Sequence, residues 1–148
     1  MMLFILRHGQ AEPMRHDDAT RALVARGVVQ VQQTAAWLQS RGFKPGQVFA
    51  SPYLRAQQTA QTLLQHNNWS LTIHTENRLT PDNEPALTAS WIDTLPEQNY
   101  LFAAHLPLVA RLTDYLTRQR VDFAPGSIAV LSKQASSWCL HDFFTPEQ

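Results

Sequence analysis

Apolar residues occur along the chain in short runs separated by segments with a helical pattern. Residues 3–6, LFIL, form a continuous apolar run that ends in polar residues, which is typical of a strand covered on both faces. Further strands are predicted at residues 47–51, 69–74, 99–105, 127–132 and 136–143. A short polar turn separates the last two, and they therefore predict a hairpin.

Four amphipathic segments predict helices between these strands. The first places several apolar side chains on one helical face, namely Val24, Val28, Val31, Ala35 and Leu38. Gly42 follows this helix as a stop signal. The second helix is predicted over residues 53–65. Its inward-facing residues are predicted to be Leu54, Ala60 and Leu64. The third begins near Asp82 as its N-cap residue, and the fourth begins at Pro107.

This alternation of strands and helices predicts an α/β fold, a three-layer α/β/α sandwich with a mostly parallel central sheet. Because no linker interrupts the pattern, we expect one domain, residues 1–148. The lone Cys139 cannot form an internal disulfide, and the N-terminal MMLFIL lacks the features of a signal peptide, so we expect a cytoplasmic location. Twelve basic and twelve acidic residues cancel, which argues against nucleic acid or a membrane as partner.

Polar side chains follow three of the four predicted strands that lead into helices. Arg7 and His8 follow the first strand, Arg55 follows the second, and His105 ends the strand at 99–105. Since the carboxyl ends of parallel strands meet at one edge of a sheet, these side chains are expected to share a pocket. Such a cluster of cationic groups favours an anion, and phosphate matches two guanidinium groups well.

Three motifs in this order resemble those of the histidine phosphatase superfamily, the phosphoglycerate-mutase-like fold. They are RHG at residues 7–9, SPYLRAQQTA at 51–60 and HLPLV at 105–109. The segments RHGQAEP, FASPYLRAQQTAQ, RLTP and AAHLPLVARL are most similar to those of SixA-type phosphohistidine phosphatases. The resemblance covers the chain from residue 3 to about residue 113.

The resemblance implies that His8 is a nucleophile whose neutral imidazole attacks phosphorus and forms a phosphohistidine that water later cleaves. Arg7 and Arg55 would bind the phosphoryl oxygens, and a cationic His105 would supply a further donor. Arg21 corresponds to a basic position near the pocket and is assigned to substrate or phosphate contact, with a solvated arginine at a helix start as the alternative. No metal or other cofactor is implied.

Two small residues of the motifs have predicted structural roles. Gly9 would allow a sharp turn and a close approach to phosphate, and Ser51 would cap the helix that carries Arg55.

His16 is predicted to be a surface residue. The other histidines have no partners at metal-ligand spacing, namely His66, His74 and His141.

The acidic proton donor of many superfamily members has no obvious counterpart here. In TENRLTP, Arg78 stands where an acid is expected, and Glu76 and Asp82 remain as candidates. An alkoxide leaving group needs such an acid, whereas phosphohistidine can lose its imidazole in neutral form. The sequence therefore favours removal of phosphate from phosphohistidine on a phosphotransfer or signalling protein.

Two other functions stay open. The chain could be a phosphatase of small phosphate esters, such as sugar or metabolite phosphates, or a phosphohistidine-binding module without turnover. The short segments between the motifs leave little material for a capping subdomain, which favours an open pocket that a protein surface can reach. The expected partner is a phosphorylated histidine phosphotransfer domain or a similar phosphoprotein, and the chain is expected to act as a monomer.

Overall fold

Six strands form one sheet in the computed structural model, which describes residues 1–148. The strands are β1 (Met2–Arg7), β2 (Gln47–Ala50), β3 (Ile73–Thr75), β4 (Tyr100–Ala104), β5 (Ile128–Gln134) and β6 (Ser137–Phe144). Their order in the sheet is β3-β2-β4-β1-β5-β6. Strands β1 to β4 pair in parallel, whereas β5 is antiparallel to both β1 and β6. The predicted α/β fold with a mostly parallel sheet is confirmed.

Helices cover both faces of the sheet. They are α1 (Ala25–Ser40), α2 (Leu54–Asn67), α3 (Pro85–Ile92) and α4 (Leu108–Thr117). The pair α1 and α2 packs on one face around Phe4 and Leu6, and the pair α3 and α4 packs on the other face around Leu3 and Ile5. Strand β1 is apolar at consecutive positions because it is buried on both faces. None of the helices is long and apolar enough to cross a membrane.

The strand order creates a crevice at the carboxyl ends of β1 and β4. The chain leaves β1 through α1, on one face of the sheet, and continues to β2. It leaves β4 through α4, on the opposite face, and continues to β5. Two neighbouring parallel strands whose connections pass over opposite faces leave space between their carboxyl ends, where ligands bind in open α/β sheets. Arg7 and His8 lie at the end of β1, and His105 follows β4 directly.

Three details differ from the sequence prediction. Strand β3 is confined to Ile73–Thr75 because it is an edge strand that pairs only with the short β2. Helix α3 starts at Pro85 with Glu84 as N-cap, not near Asp82, since the fixed φ of proline suits the first helical position. Leu54 is 38% exposed because it is the first residue of α2, outside the core.

A pair of glycines lets the loop after β1 pass directly over the first turn of α1. A Cβ on Gly27 would lie 2.1 Å from the carbonyl oxygen of Gln10, and one on Gly9 would lie 2.4 Å from the carbonyl oxygen of Gly27. Gly9 does not adopt the left-handed backbone conformation. A glycine is therefore required at this position for close packing against α1 and not for a left-handed turn, and the predicted close approach to phosphate stays a prediction.

Replacing Gly27 with alanine should destabilise the protein. The new Cβ would force the loop and α1 apart, and overpacking of this kind costs about 1–3 kcal/mol, which exceeds the helix-propensity gain of up to about 1 kcal/mol. Urea denaturation measures the change in the free energy of unfolding. Gly46→Ala is the control, because its Cβ would clash only with the end of the flexible Gln98 side chain. Equal stability of the two variants would contradict this account.

Candidate active site

The structure brings five side chains selected from the sequence around one cavity of about 470 Å³. Arg7 is the last residue of β1, and His8 follows it. Arg55 lies in the first turn of α2, and His105 follows β4. Arg21 comes from the loop between β1 and α1, directly after a short 3-10 turn. The five basic groups therefore reach the crevice from four different segments of the chain.

His8 is buried at the base of this cavity with a defined hydrogen-bonding pattern. Its Nδ1 lies 2.7 Å from the carbonyl oxygen of Gly9. Because a carbonyl oxygen only accepts, Nδ1 carries the proton and Nε2 keeps its lone pair. Arg55 donates its Nε–H to that Nε2 at 3.3 Å. Burial, together with the charges of Arg55, Arg7 and Arg21, lowers the pKa of His8 to about 4, although the bond to Gly9 opposes the shift.

His105 lies next to His8 and is also buried. Its ring centroid is 5.1 Å from that of His8 and 5.0 Å from that of Tyr53. Its Nε2 lies 2.8 Å from Ser51 Oγ, and its Nδ1 is buried without a hydrogen-bond partner. Burial has the largest effect on the pKa of His105, and together with the nearby His8 and arginine side chains it lowers this pKa to about 2. The predicted imidazolium therefore requires a negative charge beside this ring, which a phosphoryl group would supply.

Ser51 contacts His105 instead of capping α2 as predicted. The N-cap of α2 is Tyr53, and no side chain caps this helix. The Ser51 hydroxyl oxygen accepts the backbone N–H of Tyr53 at 3.2 Å and is fully buried against His105. A serine three residues before a helix start is compatible with either role in the sequence, so only the position of β4 beside β2 identifies His105 as its partner.

Asp18, which the sequence analysis did not select, lies between two of the arginines. Its Oδ1 accepts a hydrogen bond from Arg21 Nε at 2.7 Å, and its Oδ2 accepts one from Arg55 Nη2 at 3.1 Å. Its backbone carbonyl accepts a third from Arg55 Nη1 at 2.8 Å. Partial burial alone would raise the pKa of Asp18, but the hydrogen bonds from Arg21 and Arg55 outweigh this effect and lower it.

Arg21 and Arg7 are also held by backbone carbonyl groups. Arg21 donates from Nη1 to the carbonyl oxygen of Glu12 at 2.7 Å, and its side chain is only 14% exposed. This arginine is therefore not the solvated residue of the alternative interpretation. Arg7 donates from Nη1 to the carbonyl oxygen of Phe123 at 2.8 Å, and its buried Nε has no partner. Burial lowers the pKa of Arg7.

The two candidate acids lie in different surroundings. Asp82 is exposed and belongs to the lining of the cavity. Glu76 is outside that lining, and its Oε2 accepts from the backbone N–H and the Nη1 of Arg78, both at 3.0 Å. No three His, Cys, Asp or Glu side chains lie close enough together to form a metal site. The only carboxylates around the cavity are thus Asp18 and Asp82.

Comparison with known families agrees with the motifs. The model of the histidine phosphatase superfamily (branch 1) matches residues 3–81, which is more than half of the chain. The matched segment includes helix α2, Arg7 and His8 of the first motif, and Arg55 of the second. The chain belongs to the histidine phosphatase superfamily. The third motif, with His105, lies beyond the matched segment, and the fold brings it to the same cavity.

Individual members of the histidine phosphatase superfamily are similar over most of the chain. Phosphohistidine phosphatase SixA of Escherichia coli strain K12 is 30% identical over 115 residues, which are 76% of this chain and 71% of that protein. A structure of the protein histidine phosphatase SixA complexed with tungstate has a TM-score of 0.89 at 25% identity and covers 99% of this chain and 97% of its own. The fold is shared more widely. A mycobacterial glucosyl-3-phosphoglycerate phosphatase has a TM-score of 0.72 at 19% identity, covering 99% of each chain.

The protonation of His8 can be measured directly. Since burial and three arginines disfavour the imidazolium, His8 should remain neutral at pH 6, protonated at Nδ1 only, and should gain its second proton near pH 4. Nitrogen NMR of histidine-labelled protein reports both the tautomer and the titration, and a His8→Asn variant assigns the signal. An imidazolium at pH 6, or a proton on Nε2, would show that the site is organised differently.

Proposed function

We propose that this protein is a phosphatase that removes phosphate from phosphohistidine on a phosphotransfer or signalling protein in the cytoplasm. His8 would be the nucleophile and would carry the phosphoryl group in a covalent intermediate. Arg7, Arg21 and Arg55 would bind the phosphoryl oxygens, and His105 would donate a further hydrogen bond. Membership of the histidine phosphatase superfamily supports hydrolysis of a phosphate compound, and the arrangement of the cavity supports the individual roles.

The observation that carries this proposal is the hydrogen bond between His8 Nδ1 and the carbonyl oxygen of Gly9. It places the proton of the neutral ring on Nδ1 and leaves the Nε2 lone pair beside Arg55 in the cavity. A histidine whose pKa is lowered to about 4 is almost entirely neutral at physiological pH, which is the form that attacks phosphorus. The same Gly9 oxygen would stabilise the positive charge that the ring acquires once Nε2 is phosphorylated.

The reaction has two displacement steps at phosphorus. In the first, the Nε2 lone pair of His8 forms a bond to phosphorus while the bond to the substrate imidazole nitrogen breaks. The substrate ring, protonated at its other nitrogen, leaves as neutral imidazole. In the second step a water oxygen forms a bond to phosphorus, and the bond to Nε2 breaks with its electron pair returning to Nε2. The two water protons stay on the phosphate oxygens, and inorganic phosphate is released. Because phosphoryl transfer depends mainly on positioning and charge stabilisation, the arginines would supply much of the rate enhancement.

Two features favour a phosphohistidine on a protein as the substrate. The matched relative in Escherichia coli is a phosphohistidine phosphatase, and it aligns with 76% of this chain. The rim of the cavity also exposes apolar side chains, since Met14 is 72% exposed and Leu106 is 37% exposed. Apolar side chains beside a polar cavity are suited to contact with a protein surface, whereas a small phosphate ester would leave them in water.

Asp82 is the observation that favours a second candidate, the hydrolysis of small phosphate esters. It is an exposed carboxylate on the wall of the cavity and could protonate an alkoxide leaving group. The fold is also that of a glucosyl-3-phosphoglycerate phosphatase, although the identity is 19%. Asp82 lies in a loop, and the structure gives it no hydrogen bond that would hold it toward the phosphate site.

Replacing His8 with alanine should abolish phosphate release from a phosphorylated histidine phosphotransfer domain in the presence of EDTA. The variant lacks the nitrogen that is proposed to accept the phosphoryl group, so turnover should fall by at least about a thousandfold. Inorganic phosphate is measured over time, with enzyme well below substrate. His16→Ala is the matched control because that exposed histidine also follows an arginine but lies in a loop away from the base of the cavity.

Each result of this assay distinguishes between the candidate functions. Phosphate release in excess over enzyme excludes a binding module without turnover. Near-wild-type release by His8→Ala would disprove the nucleophile. A wild-type protein that releases no phosphate from this domain would contradict the proposed substrate class and favour the ester candidate.

Asp82→Asn should distinguish phosphohistidine from ester hydrolysis. If the leaving imidazole needs no acid, phosphohistidine turnover should change by less than about threefold. Loss of a general acid for an ester typically costs about 100-fold or more. The experiment measures turnover of the phosphorylated histidine phosphotransfer domain and of a panel of alkyl and sugar phosphates. Asp93→Asn is the control, because Asp93 is exposed and lies outside the cavity. Faster wild-type turnover of an alkyl phosphate, lost in Asp82→Asn, would support the ester candidate.

A further inference from the structure

We propose that Asp18 is a positioning residue of the phosphate site, which holds Arg55 and Arg21 in the orientation that faces His8. It receives three hydrogen bonds from these two arginines, at 2.7, 2.8 and 3.1 Å. No other acidic side chain contacts either guanidinium group. This inference goes beyond the proposed function by assigning the orientation of the arginines to a residue that need not touch the substrate.

The donor atoms show which part of the Arg55 guanidinium group is bound to Asp18. Both Nη atoms of Arg55 donate to Asp18, one to the backbone carbonyl and one to the carboxylate. The Nε–H points instead to His8 Nε2. Asp18 therefore holds the outer end of the guanidinium group and leaves its Nε side directed at the nucleophile. A planar guanidinium fixed at one end is a rigid donor on its other side, which suits stabilisation of a phosphoryl group in transfer.

Asp18 also reduces the repulsion between Arg55 and Arg21. One carboxylate oxygen contacts each arginine, so the two guanidinium groups share a single negative charge. The Arg55 side chain is only 4% exposed, and water therefore cannot screen its charge effectively. Without Asp18 the two cations would separate until an anion arrived. Keeping them together beforehand lowers the reorganisation that each catalytic cycle requires.

The position of Asp18 in the chain links the loop to helix α2. It is the first residue of the 3-10 turn Asp18–Thr20, in the loop that connects β1 to α1, whereas Arg55 belongs to α2. Arg21 donates back to the Glu12 carbonyl in the same loop. The loop, which also carries Arg21, is thus fastened to the helix through Asp18, and the distance between the two arginines is set by this contact.

The test is a double-mutant cycle with Asp18→Ala, Arg55→Ala and the combined variant. It rests on the proposed function, because kcat is measured on the phosphorylated histidine phosphotransfer domain. Asp18→Ala should lower kcat by about 10-fold to 100-fold, as expected when a catalytic group is misplaced. In the Arg55→Ala background the same change should cost clearly less, since one of the two groups that it positions is already absent and only Arg21 remains. An equal loss in both backgrounds would overturn the proposal.

A second readout does not depend on turnover. The Nε–H proton of Arg55 should give an NMR signal protected from exchange with water in the wild-type protein, and this signal should be lost in Asp18→Ala. If the wild-type protein hydrolyses none of the tested phosphates, the proposed function fails, yet loss of this signal still supports positioning by Asp18. A signal unchanged in Asp18→Ala would overturn the positioning role whatever the substrate is.

Two further variants control for effects of charge and folding. Asp17→Ala removes the same charge from the neighbouring position, where the exposed side chain contacts no arginine, and it should leave kcat and the Arg55 signal unchanged. A loss as large as that of Asp18→Ala would overturn the proposal in favour of a general charge effect. If Asp18→Ala does not fold, it is replaced by Asp18→Asn in the double-mutant cycle, and the same criteria apply. This variant keeps the shape of the side chain and one acceptor oxygen.

Discussion

The site depends on hydrogen bonds from arginine side chains to oxygen atoms of the protein. These bonds hold several positive charges close to one neutral imidazole. Like charges in a partly buried cavity repel one another strongly because little water is present to screen them. Each arginine is therefore held by an oxygen acceptor: the Phe123 carbonyl for Arg7, and Asp18 for Arg55 and Arg21. The same charges, together with burial, keep His8 unprotonated. The neutral imidazole and the cationic cavity around it are thus produced by one electrostatic arrangement.

The sheet topology brings these groups together from distant parts of the chain. Because β4 lies between β1 and β2, the segments after all three strands open into one crevice. The glycine pair after β1 lets the backbone beside His8 lie directly on α1, which leaves the Gly9 carbonyl close to Nδ1. Small changes of backbone packing at this point would move His8 itself, so the fold and the proposed chemistry are coupled most tightly at residues 8–10.

The sequence predicted the parts of this arrangement that depend on local pattern. Continuous apolar runs identified β1 and β4, and the polar residues after them identified Arg7, His8 and His105 as neighbours. Asp18 could not be found in this way, because an aspartate in a polar loop has no periodicity and Arg55, the partner that links it to the motifs, lies 37 residues away on α2. Ser51 was assigned to the helix start, since only the tertiary structure places His105 beside it. The strand at 69–74 was predicted too long because its length is set by pairing with β2.

Leaving-group chemistry connects the acidic groups of the site with the proposed substrate. Asp18 is held by two arginines that keep its pKa low, so it is a poor proton donor at neutral pH. Asp82 lies at the wall of the cavity and has no such partners, and Glu76 is paired with Arg78 outside the cavity. Asp18, the carboxylate of the cavity that is held by hydrogen bonds, is thus bound to arginine. Such a site is suited to a substrate whose leaving group departs without receiving a proton. Phosphohistidine meets this condition, because its imidazole can leave in neutral form, whereas an alkyl phosphate would depend entirely on Asp82.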